Sequence, residues 1–145
     1  MAVKTYPLYY AGKLMPWAKG TVANGFVYLA GTEGRDPETD RVVEGIEAQT
    51  WMCMEKIKSW LEEMGSSLEN IVKITYYVKG EFPDGVGASE NWQKARKVKQ
   101  DFYRKHCPSL CEDKNPPVAD LIGVSGLALK EMLIEIAVTA VLPDR

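Results

Sequence analysis

The sequence has one histidine, three cysteines and almost no net charge, and each scarcity removes a class of function. With His106 alone among its 145 residues, the chain has no ordinary hydrolase triad unless the imidazole pairs with neighbouring Cys107, and adjacent side chains rarely face each other. Cys53, Cys107 and Cys111 are an odd number of thiols with no export signal beside them, so they are read as free. Cys107 and Cys111 flank a zinc-like spacing, yet zinc wants about four ligands and no second histidine exists; no metal is expected. Lys and Arg number 18 against 20 Asp and Glu, a net charge of -2, so no global field draws nucleic acid or an anionic membrane. The longest apolar run is broken at Glu135, far short of the ~20 residues a membrane span needs, and the opening MAVKTYPLYY has no signal-peptide core. A cytoplasmic protein is expected.

What remains is 46% apolar and 26% charged, the make-up of one domain, residues 1–145, able to bury a core without disulfides. Asn24-Gly25, between Thr21-Val22 and Phe26-Val27-Tyr28-Leu29-Ala30, is a two-residue hairpin signal, because both turn positions require positive φ. Asp36-Pro37-Glu38-Thr39-Asp40 marks a second turn. From about Glu44 to Met64, Ile46, Thr50, Cys53, Met54, Ile57, Leu61 and Met64 recur at helical spacing, and Gly65 supplies the stop. Ile71 to Val78 is β-branched and aromatic, hence a strand. Glu81 to Gly87 is a loop, and a second amphipathic helix spans about Ser89 to Lys105. A proline-rich loop, 107–117, leads to two closing strands, Val118 to Val124 and Glu131 to Leu142, which the short Ser125–Lys130 connection is expected to pair antiparallel. The order predicts an α+β sandwich with two helices on one face of a sheet.

The last strand is apolar on both faces apart from Glu135 and Thr139. Two helices cover only one face, so the other is expected to meet further copies of the chain, although a loop over its back would also serve. Within that run Glu135 stands out: a carboxylate is costly to bury unless it is paired or functional.

Pro16-Trp17-Ala18-Lys19-Gly20, the Asn24-to-Gly31 hairpin, the acidic turn before Val42-Val43, Gln49, Gly65, Ile71 to Val78 and Ile134 to Val141 together resemble the Rid/YjgF family of reactive-intermediate deaminases. The resemblance implies a chorismate-mutase-like α+β sandwich, an antiparallel-rich mixed sheet, and a homotrimer with clefts between subunits. It also implies cofactor-free hydrolysis of small enamines and imines such as 2-aminoacrylate. Carried over position by position, it leaves Ala119 where deaminating members hold a carboxylate-gripping Arg, whose fork presents two parallel donors. The chain is thus a divergent member lacking that clamp. Trp17 stands for a cleft Tyr, Ala30 for a small hydroxyl, Thr32 for a Gln, and Glu135 keeps the place of the acid that orients water.

Asp120 and Glu135 are accordingly the catalytic candidates, and Trp17, Ala30, Thr32, Arg96, Ala119 and Leu121 the substrate-binding ones. Asp120 would turn the cleft toward neutral or cationic substrates. Arg96 either restores a cation or belongs to a solvated face with Lys94, Lys97 and Lys99, and Trp17 is either cleft wall or subunit wedge. The expected function is a trimeric hydrolase of a small imine, enamine or related intermediate, in which Asp120 and Glu135 meet across the closing strands. A non-catalytic small-ligand-binding or interaction protein of the same fold is the alternative. The family's ribonuclease reputation rests here only on the basic run from Lys94 to Lys105, ordinarily a solvated helix face.

Overall fold

The computed structural model describes residues 2–111 and 116–143. Seven strands and two long helices follow the chain: β1 (Val3–Tyr10), β2 (Lys13–Ala23), β3 (Phe26–Leu29), β4 (Thr32–Glu33), α1 (Ile46–Glu63), β5 (Ile71–Lys79), α2 (Glu90–His106), β6 (Val118–Val124) and β7 (Ile134–Val141), with three short 3₁₀ turns between them. One sheet runs β1-β2-β3-β7-β5-β6, with β4 beside β7. Both helices lie on one face, and only β5 and β6 pair in parallel, giving the expected mixed, mostly antiparallel sandwich.

Local chemistry explains most of the elements. Asn24 and Gly25 take φ of 51° and 80° and turn β2 into β3 as the sequence predicts. Helix α1 ends where Gly65, at φ 88°, lets Ser66 N–H reach Leu61 O at 2.8 Å and Gly65 N–H reach Glu62 O at 3.2 Å. Helix α2 starts on Ser89, whose hydroxyl accepts from Trp92 N–H at 3.2 Å, and ends on Arg104, Lys105 and His106, which suit its negative pole. The β1–β2 hairpin had no recognisable turn: Ala11 and Gly12 make it, at φ 48° and 76°. Pro7 is tolerated in β1 because that strand is the sheet edge and is bulged at this point.

The closing strands correct the sequence reading. β6 pairs in parallel with β5, β7 pairs antiparallel with the other side of β5, and the two closing strands do not pair with each other. The cause is the α2 crossover, which returns the chain parallel to β5 at the outer edge. β7 then enters the interior slot between β3 and β5, where its two apolar sides find neighbours. Alternation along β7 sends Ile134, Ile136, Val138 and Ala140 into the helix-side core with Cys53, Met54, Ile57, Leu61 and Phe102. Glu135, Ala137, Thr139 and Val141 line the open face, half-buried. That face also exposes Phe26, Tyr28, Val118 and Ile122. Among the described residues no helix is long and apolar enough to cross a membrane.

Gln49, buried on α1, ties the entrance of β7 in place. Its Nε2 donates to Val43 O at 3.0 Å and Glu131 O at 2.9 Å, and its Oε1 accepts from Leu133 N–H at 2.7 Å. Gly34 leaves room for it, since a Cβ there would fall 2.5 Å from Gln49 Cγ. Gln49→Ala leaves three backbone groups unanswered and is expected to cost about 2–4 kcal/mol by urea denaturation; a change below about 0.5 kcal/mol would show that water replaces the clamp.

Candidate functional site

The two-residue strand β4 builds the most unusual cluster in the molecule. It pairs antiparallel with β7 in the register Thr32↔Ile136 and Glu33↔Glu135, so the two glutamates occupy opposed positions and share a side of the sheet. Their carboxyl groups lie close enough to influence one another's protonation. The Glu135 side chain lies over Gly31: a Cβ at that position would stand 2.5 Å from its Oε2. On the helix side of the same strand Thr32 is fully buried, its hydroxyl donating to Ile136 O at 3.0 Å, while Cys53 Sγ donates to Thr32 O at 3.3 Å.

A buried lysine supports this pair. Lys56, on α1, is only 4% exposed and spends its three protons on Tyr10 Oη (2.9 Å), Glu33 O (3.1 Å) and Arg35 O (2.9 Å). Its Nζ also stands 3.9 Å from Glu33 Oε2. Arg35 packs its guanidinium over the Tyr10 ring at 4.1 Å and donates through Nε to Asp40 Oδ1 at 2.6 Å.

These surroundings set the protonation. Burial raises the Glu33 carboxyl above its ordinary value; Lys56 opposes the rise and the charge of Glu135 adds to it. Burial likewise raises Glu135, with neighbouring Glu33 pulling the other way. Two neighbouring carboxyls do not both ionise readily, so each holds its proton to higher pH than a solvated carboxyl does. Burial lowers the ammonium of Lys56, with Glu33 restoring it in part. Burial also pushes the Cys53 thiol up to about 12, which makes it a donor to Thr32 and no nucleophile. The cluster can therefore both accept and donate a proton at one spot on the open face.

The residues singled out from the sequence scatter around this centre. Asp120 pairs in register with Thr75, which in turn pairs with Ala137. It therefore faces the same side as Glu135 but lies two strand spacings away, roughly 9–10 Å, and two residues along. The expected meeting of Asp120 with Glu135 does not occur, because β5 lies between their strands. Asp120 instead stands exposed, 3.9 Å from an equally exposed Lys73. Trp17, 48% exposed, lies with Pro7, Leu14 and Met15 in a shallow groove on the β1–β2 hairpin that touches neither carboxylate. Ala30 is half-buried and donates its N–H to Lys19 O at 2.9 Å. Arg96 is exposed on α2, whereas Ala119 lines a cavity beneath that helix and Leu121 is half-buried packed against the core. His106 packs against Phe102 with the rings tilted by 42° and their centroids 4.4 Å apart. Glu33, Lys56 and Tyr10 were missed.

Fold and site together define a two-helix α+β sandwich with two opposed, half-buried carboxyl groups on its uncovered face. The chain matches the Endoribonuclease L-PSP family model over residues 11–142 and belongs to that family, the Rid/YjgF group. A RutC family protein of Pyrococcus abyssi is 31% identical over 119 residues, covering 80% of this chain and 87% of the relative. The 2-iminobutanoate/2-iminopropanoate deaminase of Salmonella typhimurium is 33% identical over 64 residues, 44% of this chain and 50% of that protein. In fold, a YjgF-family protein of Neisseria meningitidis superposes with a TM-score of 0.71 at 20% identity, covering 100% of this chain and 98% of the other.

The raised carboxyls have a consequence for stability. Because folding raises their affinity for protons, their favourable contribution is complete below the unfolded value near 4.3 and is lost as pH rises through the folded values. Glu135→Gln removes one of the two groups, so its stability relative to the parent is expected to improve steadily from pH 4 to pH 8. Denaturant titrations across that range measure the difference, and a flat line would contradict the raised carboxyls.

Proposed function

We propose that the protein is a deaminase-type hydrolase acting on a small imine, enamine or related reactive intermediate, with Glu135 and Glu33 as its acid–base pair. The observation that supports this most strongly is the register that sets Glu33 opposite Glu135 on the half-exposed side of β7, with burial raising both carboxyls. In the reaction the ionised member takes a proton from water as the water oxygen bonds to the imine carbon, and the protonated member delivers its proton to nitrogen. In the second half the carboxyl that took the water proton gives it to nitrogen while the other accepts the hydroxyl proton, and the C–N bond breaks to release ammonia and the carbonyl product with the pair again carrying one proton. The partly matching deaminase relative points to the same chemistry. No cofactor is needed for any of these proton transfers.

Substrate choice follows from the residues around the pair. The strand position where the resemblance expects a carboxylate-gripping Arg holds Ala119, whose methyl turns to the helix side, so no fork reaches the open face, where Asp120 adds a negative charge. The cleft thus favours neutral or cationic imines over 2-aminoacrylate. The second reading, a small-ligand-binding or interaction protein that does not catalyse, draws on the same Ala119. We place the working site in a cytoplasmic homotrimer, in which the exposed Phe26, Tyr28, Val118 and Ile122 of the open face meet other copies and Trp17 closes the cleft wall.

Three outcomes test this. Turnover of 2-aminoacrylate generated in situ should fall roughly 30-fold to several thousand-fold below that of an Arg-bearing relative, the effect of removing a pair worth on the order of 2–5 kcal/mol. On a neutral imine, Glu135→Gln and Glu33→Gln should each lower the rate by about 10²–10⁴; unchanged turnover in both, or none in the parent on any imine, would leave the binding reading in its place. Light scattering should return about three times the 16.2 kDa chain mass, and a monomer at micromolar concentration would remove the trimer.

A further inference from the structure

The strands around the carboxyl pair set one further group beside it. On β5, Tyr77 pairs in register with Glu135, so it neighbours that residue on one side as Glu33 does on the other. Tyr76 and Val78 are buried in the helix-side core, and alternation turns Tyr77 to the open face, where it is half-buried. Cross-strand neighbours of this kind have Cβ atoms roughly 4.5–5.5 Å apart. One row thus crosses the open face as Glu33, Glu135, Tyr77 and Ile122.

The adjoining row is low. Two residues along β7 from Glu135 stands Ala137, which pairs with Thr75 of β5, which in turn pairs with Asp120 of β6. A methyl and a short hydroxyl side chain rise little above the sheet. They leave a shallow floor with Glu135 and Tyr77 along one side and Asp120 at the end of the row.

The charges around this floor favour one kind of occupant. Glu33, Glu135 and Asp120 share the face, while the lysines nearest to them are engaged. Lys73 stands 3.9 Å from Asp120 Oδ2, Lys79 donates to Lys130 O at 2.7 Å, and Lys56 spends its protons on three oxygens behind Glu33. An anion entering here would meet carboxyl groups first, at a desolvation cost that nothing offsets. A cation would meet carboxylates and an aromatic side chain, whose ring face attracts positive charge. Flatness adds to the fit, since a planar cation can lie against a ring while aiming an N–H at a carboxylate.

We propose that Tyr77 is a substrate-contacting, specificity-determining residue of this site, its ring receiving a small planar cation of the iminium or amidinium type that lies above Ala137 and directs an N–H at Glu135. Resting on the acid–base role given to the pair above, this assignment narrows the substrate class to iminium ions without a carboxylate and adds no step to the reaction.

Acetamidinium is the probe, because it has the planar cationic carbon–nitrogen unit of a protonated imine. Acetamide is its neutral counterpart and acetate its anionic one. Amide chemical-shift titration of the labelled full-length protein at neutral pH should give saturable shifts at Tyr77, Glu135 and Ala137 with acetamidinium, and binding about tenfold or more weaker for either control. Tyr77→Leu should weaken acetamidinium roughly 3- to 30-fold, and Tyr77→Phe, which keeps the ring, should restore binding to within about twofold of the parent. Should the leucine variant fail to fold, the parent alone decides the matter through nuclear Overhauser contacts, which are expected between the acetamidinium methyl and the Tyr77 ring protons. No saturable shift in the parent, equal affinity for acetamide, unchanged affinity in Tyr77→Leu, or methyl contacts that miss Tyr77 would each overturn the assignment. The two proposals fail separately: acetamidinium binding lost in Glu135→Gln but untouched in Tyr77→Leu removes Tyr77 and leaves the acid–base pair, whereas Tyr77-dependent binding without turnover of any imine removes the hydrolase and leaves a planar-cation site.

Discussion

The contact between Glu33 and Glu135 is the constraint around which the rest of the molecule is arranged. Two carboxyls side by side repel when ionised, so both hold their protons to higher pH, and a buried ammonium stands behind one of them. Lys56 in turn depends on three oxygen acceptors, from Tyr10, Glu33 and Arg35, to remain in the interior. Tyr10 comes from the end of β1, so the first hairpin, which looks like an ornament on the edge of the sheet, closes the shell of the charged cluster. Arg35 and Asp40 hold the loop after β4, and that loop supplies one of the acceptors.

The same arrangement explains the oddity of β4. A two-residue strand contributes little pairing energy, yet it is fixed from both sides. Thr32 is bonded to Ile136 and receives the Cys53 thiol, Gly31 leaves space for Glu135, and Gly34 leaves space for Gln49. Gln49 then anchors the segment that leads into β7. Helix α1 therefore does two jobs with residues one turn or two apart: Gln49 and Cys53 set the backbone of the site, and Lys56 sets its charge.

The sheet separates two environments. Its helix side carries the packed core, and its open side carries the carboxyl pair, Asp120 and a row of exposed apolar groups. Adjacent positions on β6 divide between them, Ala119 toward α2 and Asp120 toward the open face, because side chains alternate along a strand.

Elements with a local cause were legible from the sequence. The spacing of Ile46, Cys53, Ile57 and Leu61 makes α1, Gly65 ends it, Asn24-Gly25 makes its hairpin, and the β-branched run Ile71 to Val78 makes β5. The prominence of Glu135 in the run Ile134 to Val141 was equally plain. Its partner was not: nothing near Glu33 in the chain favours a second acid against Glu135, and the pairing follows from which edge of β5 each closing strand takes. That choice belongs to the α2 crossover and the burial of β7, so Asp120, the expected partner, was carried one strand too far. Lys56 reads on a helix like any solvated lysine, and only the convergence of β1, β4 and the Arg35 loop shows it buried. Periodicity and turn chemistry are written within a few residues, whereas register and desolvation arise among residues distant in sequence, and here those two decided which carboxylates meet.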